Sequence, residues 1–225
     1  MARDHGKSNT GHSQHRYSPV TPGSLPEPTA SAERQVWFPE TSALVTLAVH
    51  LPLQQAVVAV LSAHPLVLVK AVVTELEELA ATSDITATWA GTALSQLDWL
   101  PESVLLDDPA GVELAVSLQE EIAGGRPLKH SMEHFGEAAV ISLACRAQRL
   151  KPLMLSDDYN ARVAAKNHDV EPLSVHKLLH LMIRQGKVTA AEAAGFADAL
   201  HAAGRAQDYT AQELSSGRLG RVGQP

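Results

Sequence analysis

From Val36 onward the chain alternates short apolar runs with longer stretches in which apolar residues recur every three or four positions. No other feature constrains the fold as much, because this alternation is the pattern of strands and amphipathic helices that builds a parallel sheet covered by helices. Residues 36–38 read as the first strand. A helix over "ALVTLAV", which Thr41 or Ser42 can cap, and a second helix through "LQQAVVAVLS" follow it. "PLVLV" is expected as the second strand and "AVVTELEELAAT" as a helix with Val72, Leu76, Leu79 and Ala80 on one stripe. Another helix fits "TATWAGTALSQLDWL", up to the interruption at Pro101. "SVLLDD" then reads as a short strand, and "PAGVELAVSLQEEIAGG" as a helix opened by proline and closed by glycine.

The second half repeats the alternation. A helix is expected over 135–149, a strand over 152–155, a helix from about Asp157, a short strand in "VEPLSV", and a helix over "VHKLLHLMIRQG" ended by Gly186. Thr189 and Glu192 form a capping box for "TAAEAAGFADALHAAG", which Gly204 stops.

Outside this pattern, residues 1–34 are rich in Ser, Pro, Gly and His and hold few large apolar side chains. They read as a disordered arm in which His5, His12 and His15 are simply exposed. The expected organisation is this arm, a domain over 35–186, a helical extension over 187–204 and a flexible tail over 205–225. With 225 residues, 45% of them hydrophobic, the chain is large enough for a substantial core. Its single cysteine, Cys145, allows no internal disulfide and reads as a small buried hydrophobe in a reducing compartment. The first residues lack an apolar segment behind their charges, and no later run reaches about 18 apolar residues, so no membrane association and a cytoplasmic location are expected. A formal net charge of -7 argues against general attraction to polyanions, so a nucleic acid would have to meet a local basic patch.

Acidic residues fall at one recurring place. Glu40 ends the first strand, Glu75 and Glu137 lie in the first turns of helices, and Asp157 and Asp158 follow a strand. In a parallel α/β sheet, strand C-termini and helix N-termini share one edge, where ligands bind. Glu137 is the most telling of these. Val140, Ile141, Ala144 and Cys145 stand three, four, seven and eight positions after it, so its side chain points along the buried stripe. Carboxylates gathered on one rim repel one another unless protons or a divalent cation intervene. An oxygen-only donor set suits Mg²⁺ or Mn²⁺, and the chemistry such a site serves best is phosphodiester hydrolysis. His130/His134 and His176/His180 have i, i+4 spacing, but Lys177 stands where a zinc protease would need glutamate, so these read as surface or packing residues. "GRLGRVG" lacks the preceding strand of a dinucleotide fingerprint.

Five segments in series resemble the PIN-domain nucleases: "FPETSALVTLA", "VVTELEELA", "HFGEAAVISLA", "LMLSDDYNARVAA" and "LSVHKLLHLMIRQGKVTAAEA". The resemblance implies a three-layer α/β/α domain with a central, mostly parallel sheet. It makes Glu40, Glu75, Glu137 and Asp158, with Asp157 as the alternative to Asp158, the catalytic and metal-binding carboxylates for Mg²⁺ or Mn²⁺. Thr41, Ser42 and Ser174 become supporting polar residues. It also implies an endoribonuclease, often the toxin of a toxin-antitoxin pair, with RNA as substrate, a small antitoxin protein as inhibitor and a homodimeric state. Arg146, Arg149, Lys151 and Arg162, close to the acids in sequence, are the expected RNA contacts. The sequence departs from the family in its first acid, Glu40 where Asp is usual, which leaves open a catalytically weak module that binds RNA or a protein without cutting.

Overall fold

The computed structural model describes residues 35–147, 150–205 and 214. The arm expected over 1–34, Arg149 and most of the tail expected from 205 onward lie outside the described residues. Within them the protein is mixed α/β, with a small parallel sheet in the order β1 (Gln35–Pro39), β2 (Lys151–Leu155), β3 (Glu171–Leu173). The helices are α1 (Thr41–Ala48), α2 (Leu51–Leu61), α3 (Lys70–Ala80), α4 (Ile85–Ser95), α5 (Pro109–Ile122), α6 (Phe135–Arg146), α7 (Tyr159–Asn167), α8 (Val175–Arg184) and α9 (Ala190–Ala202). None of these is long and apolar enough to cross a membrane.

From Val36 in β1 and Leu153 in β2 the strands are apolar on both faces, as strands buried on both sides must be, whereas exposed Lys151 and Glu171 open β2 and β3. Side chains alternate along a strand, and they distribute accordingly. Val36, Phe38 and Met154 enter one core with Val72 and Leu76 of α3, Leu118 of α5 and Val140 and Ile141 of α6. Trp37, Leu153 and Leu155 enter the other with Leu53 of α2, Leu179 of α8 and Leu200 of α9. Helix α1 serves both cores, through Leu44 and Val45 on one side and Leu47 on the other. Helix α9 thus shares a core with the sheet.

The segments expected as strands at "PLVLV" and "SVLLDD" form single bridges only, Trp37 to Leu66 and Val69 to Val104, both parallel. The hydrogen bonds give the reason. Residues 65–67 pair with Trp37 of β1, whereas 68–70 turn to Val104, so neither partnership lasts long enough to become a ladder. Helix α6 stops at Arg146, short of the expected Arg149. The capping box of Thr189 with Glu192 forms as read, and Asp108 caps α5 ahead of Pro109.

The register brings Pro39 beside Leu155 and Leu155 beside Leu173, so all three strands end level. The residues that follow are tied across this edge: the Glu40 amide donates to the Leu155 carbonyl at 3.1 Å and the Ser156 amide to the Leu173 carbonyl at 2.9 Å. Glu40, the turn 156–158 and Ser174 therefore share one edge, the end of the sheet at which a ligand would meet helix N-termini.

A candidate carboxylate site at the sheet edge

Glu40 is fully buried, and the cap of α1 is this residue, not Thr41 or Ser42. Its carboxylate accepts from the amides of Ser42 and Ala43 at 2.8 and 3.0 Å and from the Ser42 hydroxyl. Short Asp is the acid usually preferred at a cap. The longer side chain of Glu40 does the same by folding back over its own helix. Ser42 extends the link further. Its Oγ also accepts from the amides of Asp157 and Asp158, at 2.8 and 3.1 Å, joining the first acid to the turn after β2.

Glu75 arrives from α3. Its Oε2 accepts from the Thr41 hydroxyl at 2.5 Å. Gly136, the second residue of α6, makes room for this carboxylate: a Cβ built at that position would overlap Glu75 Oε2. Glu137 follows, buried at 6% exposure, with Oε1 3.9 Å from His134 Nδ1 and Oε2 buried without a hydrogen-bond partner. Three glutamates from three elements thus face one another. Burial, reinforced by the charge of Glu137, pushes the pKa of Glu40 up to about 8 despite its hydrogen bonds to Ser42. Burial and Glu137 likewise push Glu75 up to about 8 against the opposing Thr41 hydrogen bond. Burial thus favours the protonated form of both Glu40 and Glu75 near neutrality.

Asp157 and Asp158 divide the remaining work. Asp158 caps α7, accepting from the Ala161 amide at 2.7 Å. Asp157 Oδ1 accepts from the Val175 amide at 2.9 Å and so fixes the start of α8, while its Oδ2 is buried without a partner. Ser174 caps α8 through the Lys177 amide.

A cationic flank comes from the α5–α6 connection. Gln119 of α5 donates to the carbonyls of Ser131 and Glu133 at 2.8 and 2.6 Å, anchoring this loop. Arg126 pairs with Glu133 at 2.8 Å, and its Nη2 lies 2.6 Å from His134 Nε2. That pairing, together with the Lys129 amide, holds Glu133 down at about 2. His134 precedes α6 in the left-handed region at φ 63°, a conformation His adopts more readily than most residues. The Glu137 carboxylate, 3.9 Å from Nδ1, raises its pKa, with further help from the charges of Asp158 and Glu133. The guanidinium at Nε2 opposes that second proton. The 2.6 Å contact favours a neutral ring with Nε2 accepting and the hydrogen on Nδ1, toward Glu137. The Asp158 charge also acts on Arg126, so this flank faces the turn after β2.

Among the described residues, the expected RNA contacts are not brought together at the carboxylates. Arg146 pairs with Asp108 at 2.5 Å, at the far end of α6, about 14 Å along the helix from Glu137. Lys151 opens β2, at the opposite edge of the sheet from Glu40. Arg162 stays near the site, with Nη1 3.2 Å from the Ser156 carbonyl. Sequence reasoning missed Arg126 and Gly136, and it read His134 as a surface or packing residue. The one available signal was the "HFGE" order itself, which sets His134 and Gly136 on either side of a helix start.

Donor chemistry fits a hard cation: every candidate ligand is a carboxylate oxygen, and two of the buried oxygens lack a donor. As the side chains stand, no group of three or more His, Cys, Asp or Glu among the described residues could hold a metal ion. In comparisons with known proteins, no protein-family model, no curated protein and no solved structure matches this chain.

Proposed function

We propose that the chain is a metal-dependent endoribonuclease of PIN-like architecture, hydrolysing RNA phosphodiester bonds. One observation carries the reading. Glu40, Glu75 and Glu137 converge from separate elements on a sheet edge where oxygens of Glu137 and Asp157 are buried without donors. An unsatisfied buried polar group costs about 1–3 kcal/mol, more when charged, and a fold seldom keeps several without a use. Glu40, Glu137, Asp157 and Asp158 would hold Mg²⁺ or Mn²⁺, with Glu75 completing the acidic wall. The bound ion supplies an activated water and neutralises charge on the attacked phosphate.

The remaining chemistry belongs to the chain. Ser42 keeps Glu40 in register with the Asp157–Asp158 turn, and Thr41 keeps Glu75 directed inward. Because Glu40 and Glu75 hold protons near neutrality, loading an ion releases them, and affinity rises with pH. Arg126 and Arg162 are the guanidinium groups offered to substrate phosphates. Tyr159, exposed next to Asp158, offers a ring on which a base can stack. The partners this reading implies are RNA, a small antitoxin-like inhibitor and a second copy of the chain, in the cytoplasm.

A second reading, a PIN-like module that binds RNA or a protein without cutting, is favoured by one observation. The Glu40 carboxylate already accepts three hydrogen bonds, which leaves it little capacity for an ion. Cleavage assays on single-stranded and structured RNA with Mg²⁺ or Mn²⁺ separate the two. Glu137→Gln is expected to abolish cleavage and to leave RNA binding largely intact. If the unsubstituted chain degrades no RNA with either ion, the second reading stands in its place; if it also binds neither Mn²⁺ nor RNA, only a protein-binding module is left.

A further inference from the structure

The end of α9 reaches back to the carboxylate site. Gly204, at φ 70°, turns the chain after α9, and the Arg205 amide closes the turn on the Leu200 carbonyl at 3.0 Å. This aims the Arg205 side chain at α1. There Nε and Nη2 donate to Thr46 Oγ1 at 3.1 and 2.9 Å, and Nη2 donates to the Ser42 carbonyl at 2.9 Å. Thr46 is fully buried. Ser42 is the residue whose hydroxyl joins the Glu40 carboxylate to the amides of Asp157 and Asp158.

We propose that Arg205 is a positioning residue for the carboxylate site, acting through Ser42. The peptide unit of Ser42 is gripped from three sides: its amide by Glu40, its hydroxyl by Glu40 and the turn after β2, and its carbonyl by Arg205. Helix α1 is only eight residues long, and a carbonyl in its first turn held by a cation fixes the rotation of the helix end that presents Ser42. Docking of α9 thereby sets the register between Glu40 and Asp157. A fourteen-residue stretch from Ala190 to Ala203 separates the cap residue Thr189 from the Gly204–Arg205 turn, so the C-terminal helix acts as the strut that carries Arg205 into place. The consequence for metal affinity rests on the nuclease reading; the positional coupling does not.

The test is amide hydrogen exchange by NMR on the full chain in EDTA. Its reporter is the Asp157 amide, held by Ser42 Oγ; the Asp158 amide is a weaker reporter because Ser156 Oγ also accepts from it, at 3.1 Å. Arg205→Gln is expected to speed Asp157 exchange about tenfold relative to amides in the core of α8, the scale of one lost charge-assisted hydrogen bond. Arg205→Lys should restore part of the protection. The Arg205→Gln effect should vanish in a Ser42→Ala background, where the hydroxyl bridge is gone but the carbonyl remains. If Arg205→Gln does not fold, Thr46→Val, which removes two of the three contacts, is measured in its place. The proposal is overturned if Asp157 moves no more than the α8 amides, or if the effect persists without the Ser42 hydroxyl. In a parallel Mn²⁺ titration by calorimetry, wild-type binding that weakens in Arg205→Gln extends the coupling to the ion. Absence of Mn²⁺ binding in wild type overturns only the nuclease reading and leaves the exchange result to decide on Arg205.

Discussion

In the absence of metal the protein should lose stability as pH rises from 5 to 8, the reverse of ordinary acid denaturation. The cause is the pair Glu40 and Glu75. In the unfolded chain each titrates near 4.5; in the folded protein burial and Glu137 push each to about 8. A carboxyl whose pKa is raised on folding binds its proton more tightly in the native state. Between these two values the native state holds protons that the unfolded chain has released, and stability falls with each step upward in pH. Below about 4.5 both states are protonated and the penalty is absent; above about 8 it is complete. One group with this shift represents about 5 kcal/mol. The two share a site and do not simply add, so the expected slope is about 1 to 3 kcal/mol per pH unit. Urea denaturation from pH 5 to 9 in EDTA measures the slope. In Glu137→Gln the charge acting on both partners is gone, so the decline should end below pH 8 and the variant should exceed wild type there. At a Mn²⁺ concentration a hundredfold above Kd, wild type should regain about 3 kcal/mol at pH 8. A flat or rising profile in EDTA, or a decline in Glu137→Gln that extends as high in pH as in wild type, would show that these carboxyls do not share a buried site.

Two further outcomes follow from the geometry. Gly136→Ala places a methyl group against the Glu75 carboxylate, which must then leave the Thr41 hydroxyl. Because the displaced atom ends a flexible side chain, stability should fall by only about 1–3 kcal/mol in urea titration, while Mn²⁺ affinity by calorimetry falls much further. Arg146→Ala, which breaks the pair with Asp108 far from the site, should leave RNA affinity unchanged in a fluorescence anisotropy titration, whereas Arg126→Ala should weaken it several-fold.

The sequence announces those parts of this fold that depend on local pattern. Strands buried on both faces are continuous apolar runs, which is why β1 and β2 are visible as "VWF" and "PLML". The acids at strand ends and helix starts are visible for the same reason, because their place relative to an element fixes the sheet edge they occupy. Patterns that depend on partner choice are not visible. Residues 65–69 have strand composition, yet they divide their bonds between Trp37 and Val104 and remain two bridges. Arg126 sits in a loop whose course is set by the Gln119 amide, and its nearness to Asp158 is a tertiary fact with no periodicity behind it. Arg205 lies 159 residues from Thr46, and nothing in the composition of either segment indicates that they meet.

The cap at Glu40 shows how one residue joins these two levels. Its position after β1 is legible, and its acidity can be assigned to a site from there. What its extra methylene permits is a matter of three dimensions: the carboxylate folds back to take the Ser42 and Ala43 amides, which lie in the first turn of the helix it begins. Those donors favour its ionised form, whereas burial and Glu137 favour the protonated one, and burial is the larger influence. The same carboxylate is thereby placed between two fates. With a proton it is a stable cap beside two other glutamates; without one it needs positive charge nearby, and Arg126 stands on the Asp158 side of the site. A divalent ion among Glu40, Glu137 and Asp157 would supply that charge where buried oxygens already lack donors. On the proposed nuclease reading, protons and a cation compete for this one edge, and pH decides which of them holds it.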